Sequence, residues 1–194
     1  MIEIPLFPLR TVLYPAGRLP LKIFEQRYLD MTKNCIRDDS VFGVCLIREG
    51  AEVGTPATPW ATGCTARIQE WDMPHLGMFH LLCQGESVFQ TVEQWSAPNG
   101  LLWGRVDLRE PELDVALAPD QQHLADLMRK IMDKVGAEHF PAPAALHDAN
   151  WVAYRLAEVL PMDPEIKQMI LEATRTEDRL VALNEFLRVQ RVVL

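Results

Sequence analysis

The chain has 194 residues, 48% of them hydrophobic, with 19 Lys and Arg against 27 Asp and Glu for a net charge of −8. That composition suits a globular protein of one large or two small domains. Both halves are mildly acidic, with ten cations and thirteen anions through Glu110 and nine and fourteen after it, so no basic half marks a nucleic-acid footprint.

The chain opens on IPLFPLRTVLYPAGRLPLKIF, where Pro5, Pro8, Pro15 and Pro20 stand among leucines and aromatics. Proline lacks a backbone donor and is confined to strand ends, edges and bends. The segment reads as short extended pieces that turn at Pro8, at Pro15–Gly17 and at Pro20 with their leucines inward, as in a curved sheet or pseudo-barrel. No basic region precedes an apolar one, so it reads as mature structure and not as a signal peptide. No apolar run approaches the ~20 residues of a membrane span. A cytoplasmic protein with no membrane partner is expected. A helix is expected from Phe24 to Ile36, where Phe24, Tyr28, Met31 or Thr32, and Cys35 recur every three or four residues.

Strands follow at Val41–Ile47, Cys64–Trp71, Met78–Gln84, Ser87–Trp95 and Leu101–Leu108. Cys64, Ala66 and Ile68 alternate with Thr65, Arg67 and Gln69, the period of a half-buried strand. VFGVCLI is apolar on both faces, as a strand covered on both sides would be. QGES and APNG supply turns that would make their neighbours antiparallel. The cysteines Cys35, Cys45, Cys64 and Cys83 are far apart with no CxxC, so they read as buried thiols and not as a zinc site.

Near residue 115 the period changes to that of a helix. Leu124, Leu127, Met128, Ile131, Met132 and Val135 form one stripe, stopped by Gly136. Asp148 can cap a second helix to Leu160, burying Trp151, Val152, Leu156, Val159 and Leu160. Asp163 and Pro164 start a third. A fourth runs from about Thr176 with Leu180, Leu183, Phe186 and Leu187 inward. The segment EHFPAPAALHD between the first two is expected to be a mobile loop. The fold class is α+β: a β-rich twisted sheet or pseudo-barrel over residues 1–115, then a small four-helix bundle over 116–194.

The segments IPLFPL (Ile4–Leu9), Val12–Gly17, LPLKIFEQRY (Leu19–Tyr28), Phe42–Ile47 and ATGCTARI (Ala61–Ile68) together resemble the N-terminal, substrate-binding domain of Lon-type ATP-dependent proteases. They are closer still to stand-alone bacterial Lon-domain proteins. AYRLAEVLPMDPEIKQMILEATRTEDRLVALNEFL resembles the family's helical end. Tyr14 stands where the family has Phe, Ala16 separates Pro15 from the glycine that usually follows it, and GESVFQTV lacks a customary Arg. The resemblance implies recognition of unfolded or damaged polypeptide, or of a protein partner. Glu25 and Arg27, in the family's FE.RY motif, are expected to anchor the helix start to neighbouring backbone.

The modules that give Lon proteases their chemistry leave no trace in these residues. There is no Gly-Lys-Ser or Gly-Lys-Thr to close a phosphate loop. GAEVGTPATP has glycines but no lysine. Ser40, Ser87 and Ser96 lie in polar turn contexts outside any GxSxG. Of the five histidines, His139 and His147 share a loop with Glu138, which does not define a metal site. No cofactor is expected.

A non-catalytic protein-interaction module is therefore the leading reading, and it requires exposed apolar surface. EWDMPHLGMFH is the preferred stretch, with Trp71, Met73, Leu76 and Met78 around a proline-glycine turn. Trp60, beside Pro59 in a loop, is a second. The bland alternative folds Trp71 and Met78 over the barrel end. An enzyme or small-molecule site in a cleft between the domains is the alternative function. RNA binding is disfavoured by charge.

Overall fold

Two prolines expected at bends lie inside strands. β1 (Ile2–Leu9) runs through Pro8, and β2 (Arg18–Ile23) runs through Pro20. Neither costs a full set of ladder bonds. Pro8 lies beyond Leu6, the last residue of β1 paired to its antiparallel neighbour, and among the described residues β2 is bonded on one flank only. The computed structural model describes residues 1–54 and 57–190, which fall into two units, Met1–Glu110 and Pro111–Leu194. Thr55 and Pro56, in the glycine-containing stretch noted above, lie outside the described residues.

The first unit is a mixed six-stranded sheet. After β2 and the helix α1 (Gln26–Asp38) come β3 (Phe42–Glu49), β4 (Thr58–His75), β5 (Met78–Ser96) and β6 (Leu102–Leu108). The order is β2-β5-β4-β3-β1-β6, and β5 also pairs with β6. Five strands thus form a ring of pairings, with β2 attached beside it. Only β1 and β3 run parallel among the pairings described.

β5 makes the ring possible by changing partners along one edge. Phe79–Gln84 pairs with β2, and Phe89–Ser96 with β6. QGES, expected as a turn, lies at the changeover within the continuous strand. Gly85 is there because the chain crosses on top of it: its N–H donates to the Gly17 carbonyl at 2.9 Å, and its carbonyl accepts from Ala16 N at 2.8 Å. APNG does turn, closed by the Gly100 N–H to the Ala97 carbonyl at 2.8 Å.

Alternation along β1 divides its side chains between two cores. Ile4 and Leu6 join Cys45, Phe89, Leu102 and Val106 on one face. Gly43, Gly63 and Gly104 make that packing possible, since a Cβ on any of them would come within 3 Å of Leu6 or Phe89. Phe7 and Leu9 join the larger core beneath α1, with Tyr28, Met31 and Cys35. The Phe7 and Tyr28 ring centroids lie 4.1 Å apart. α1 begins two residues later than its apolar period suggests, and Phe24 stands outside it, 54% exposed. Buried Arg27 pins the helix start, donating to the Gly100 carbonyl at 3.2 Å and to Glu25 at 3.0 Å.

The second unit holds α2 (Gln122–Val135), α3 (Ala149–Val159), α4 (Pro164–Glu172) and α5 (Thr176–Val189). The caps are those the sequence indicates. Asp148 accepts from the N–H groups of Asn150 and Trp151, and Asp163 from that of Glu165. α3 packs against α2, α4 and α5. It is buried nearly all round, so Ala153, Tyr154, Arg155 and Ala157 are inside while Val159 turns outward. Phe140, in the segment expected to be a mobile loop, is buried.

A polar network lies within this unit. Arg179, 1% exposed, donates to Glu112, to Asn150 at 2.7 Å and to the Ala173 carbonyl at 2.7 Å. Tyr154 donates to Glu112 at 2.8 Å, and its ring lies 4.7 Å beneath the Arg179 guanidinium.

Candidate functional site

β4 and β5 form a hairpin whose tip is Leu76–Gly77, with Gly77 at φ +84°. A positive φ suits glycine, which lacks a Cβ to clash. Leu76 is 100% exposed, Trp71 53% and Met73 37%. Met78 is half-buried. Four of the five residues singled out in the sequence therefore share one hairpin, and the first three are open to solvent. The alternative in which Trp71 and Met78 fold over the barrel end is met in part, since Met78 is half-buried and Trp71 leans on the buried Phe79 while leaving about half of its surface open. Trp60 is separate: it lies in β4 itself, not in a loop, and is half-buried near that strand's start.

The exposed face of the hairpin continues the core. Trp71 stands opposite Leu81, and Leu81 opposite Leu21 of β2. Residues directly opposite in antiparallel strands share a face. Leu81 is buried in the larger core and Leu21 half-buried against it. Trp71 also meets the Phe79 ring edge-on, with centroids 5.9 Å apart. Apolar surface thus runs unbroken from the core outward to Trp71.

Along β2 lies a groove of about 200 Å³. Its walls include Phe7, Leu9, Leu21, Phe24, Tyr28 and Val53. Phe24 and Val53 are more than half exposed. Glu52 fixes the far wall, accepting from the Arg10 N–H at 2.5 Å, and Arg10 donates to the Gly50 carbonyl at 3.0 Å. Sequence reasoning placed Phe24 in the helix and so missed this wall. Its position immediately after the β2 alternation was the available signal.

The reactive side chains are differently placed. The four cysteines are buried and unbridged. Burial pushes the thiols of Cys45 and Cys83 up to about 12, far from the thiolate form that reacts or binds metal. Among the described residues no group of three or more His, Cys, Asp or Glu is placed to hold a metal ion. No helix among them is long and apolar enough to cross a membrane. Ser87 sits within β5, its backbone tied to the Thr65 hydroxyl.

This ring of strands with an apolar flank defines a class. Residues 3–189 match the family model of the ATP-dependent protease La (LON) substrate-binding domain. The chain belongs to that family. A solved structure described as a Lon N-terminal domain protein from Xanthomonas campestris is 33% identical, with a TM-score of 0.81, covering 95% of this chain and 98% of that one. The N-terminal domain of a Mycobacterium avium complex Lon protease shares the fold, with a TM-score of 0.59 at 16% identity, over 94% of this chain and 97% of that one. Lon protease 2 of Myxococcus xanthus is 28% identical over 98% of this chain and 24% of its own length. The chain thus spans about a quarter of the curated relatives it matches.

Proposed function

We propose that this domain binds unfolded polypeptide, or an unfolded segment of a protein partner, without acting on it chemically. The hairpin bearing Trp71, Met73, Leu76 and Met78 makes the contact. The observation that carries this reading is the apolar face running from buried Leu81 to half-exposed Trp71, on a hairpin whose tip residue Leu76 is fully exposed. Apolar surface continuous with a core is stable without a partner yet gains by being covered. Methionine and tryptophan suit a surface that must accept many sequences, one by adaptability and the other by area. In the cytoplasm such a domain serves as an adaptor, either alone or joined to a protease.

The test is binding of a fluorescently labelled, reduced and carboxymethylated protein, followed by anisotropy. Trp71→Ala and Leu76→Ser are expected to weaken binding at least about tenfold, the loss of one good apolar anchor. The melting temperature of Leu76→Ser should stay close to that of the parent, and that of Trp71→Ala should fall modestly with the loss of its contact to Phe79. Unchanged binding in both variants would remove the hairpin from the reading.

A further inference from the structure

We infer that the outer edge of β2 is a strand-addition site, at which an extended polypeptide pairs its backbone with β2 and sends alternate apolar side chains into the adjoining groove. This rests on the polypeptide-binding reading above and assigns it a second contact. β2 ends the sheet order and among the described residues pairs with β5 alone. Its register against β5 runs from Arg18 opposite Gln84 to Ile23 opposite Phe79. The Gly85 N–H donates to the Gly17 carbonyl at 2.9 Å, one step before that register begins. Bonded positions recur every second residue in an antiparallel ladder. The Gly17 carbonyl and the backbone groups of Leu19, Leu21 and Ile23 therefore face β5, while those of Pro20 and Lys22 point outward. Pro20 confirms the phase, since the residue without an N–H sits where no bond to β5 is needed. Lys22 presents both an N–H and a carbonyl on the open edge.

The groove of about 200 Å³ begins at this edge, between Leu21–Phe24 and the side chains of Phe7, Leu9 and Val53. A strand laid beside β2 places every second side chain on the face of Leu21 and Ile23. The intervening side chains fall on the face of Lys22, which is exposed. The favoured occupant thus alternates apolar residues with acidic or neutral polar ones. A second copy of β2 fits poorly. Antiparallel self-pairing about Pro20 sets Arg18 against Lys22 of the other copy and opposes two prolines, and like charges directly opposite are destabilising.

The probe is a synthetic peptide alternating valine or phenylalanine with glutamate and threonine. Its binding to the intact protein is followed by anisotropy and by NMR hydrogen exchange of backbone amides. Strand addition predicts that the Lys22 amide exchanges at least about tenfold more slowly in the complex, as a newly bonded N–H does. The same peptide N-methylated along the edge that meets β2 should bind at least about tenfold more weakly, and so should Lys22→Pro with the parent peptide. Replacing the glutamates by lysine should also weaken it. The first two measurements use the unaltered protein, so they stand even if Lys22→Pro disturbs folding. Binding with an unchanged Lys22 amide and no effect of N-methylation overturns strand addition while leaving the polypeptide-binding reading intact. Strand addition that persists in Trp71→Ala supports this inference by showing that the β2 edge binds independently of the hairpin. Failure of the peptide and the carboxymethylated protein to bind at all overturns both, and slow Lys22 exchange that depends on protein concentration alone assigns the edge to a second copy instead.

Discussion

Gly85 lies so close to Tyr14 that a Cβ built on it would come within 2.1 Å of the Tyr14 carbonyl oxygen. The obstacle is main chain on both sides, and Gly85 is bonded to Ala16 and Gly17 in the same crossing. Neither partner can rotate away. Gly85→Ala is expected to destabilise the first unit by about 3 kcal/mol, the upper range for overpacking a tight site. Urea denaturation followed by tryptophan fluorescence measures it. A loss below about 0.5 kcal/mol, the size of an ordinary surface change, would show that the crossing is loose.

The same crossing contains a stabilising substitution. Ala16 has φ +61°, a left-handed conformation that side chains disfavour. Ala16→Gly relieves the strain but gives the unfolded chain more freedom. A net gain of about 0.5 to 1 kcal/mol is expected, read as a higher urea midpoint with an unchanged slope.

In the second unit the counter-charge of buried Arg179 is Glu112, whose side chain keeps 30% exposure. Glu112→Ala leaves a buried guanidinium with only Asn150 and the Ala173 carbonyl as neighbouring acceptors in that network. Removing one partner of a buried pair costs about 3 kcal/mol. Glu112→Gln retains an acceptor and should cost less. Equal stability of both variants and the parent, by denaturant unfolding, would contradict the pairing.

Burial pushes the Glu158 carboxyl up to about 7, although Arg155 at 2.9 Å and Lys167 draw it down. Its ordinary value is 4.5. Between those values the folded chain holds a proton that the unfolded chain has released. Stability therefore falls as pH rises from about 4.5 to 7 and levels off above. The full swing would be about 3 kcal/mol at 1.36 kcal/mol per unit. Because 23% of the side chain reaches solvent, a decrease of about half that is expected. Unfolding measured at pH 5 and pH 8 should show it, and Glu158→Gln should flatten it. A parent protein equally stable at both values, or a variant with the same slope, would count against Glu158 as the source.

The features legible in the sequence were those decided by neighbours along the chain. Asp148 and Asp163 cap helices because a carboxylate two residues from a free N–H can reach it. Both-sided burial of Phe42–Leu46 follows from its unbroken apolarity. Where distant chain decides, the local pattern misleads. Gly85 looks like a turn residue, but its glycine is required by Tyr14, far away in sequence. Pro20 looks like a bend, yet an edge strand tolerates it. Phe24 fits a helical period but precedes the helix. The hairpin residues Trp71, Met73 and Leu76 were readable as a group. Their exposure depends on what β2 and β5 cover, which no local spacing records. Glu112 and Arg179 were invisible as a pair across 67 positions.

The ring pairing also constrains the order of events during synthesis. β1 takes β6 as its antiparallel neighbour, with Ile2 opposite Val106. A ribosome must therefore release more than half of the chain before the first strand finds that neighbour. Until then its leucines have β3 on one flank only. Pairings so distant along the chain are slow to form, so a nascent copy of this domain passes through a stage in which it resembles the unfolded clients it is proposed to hold.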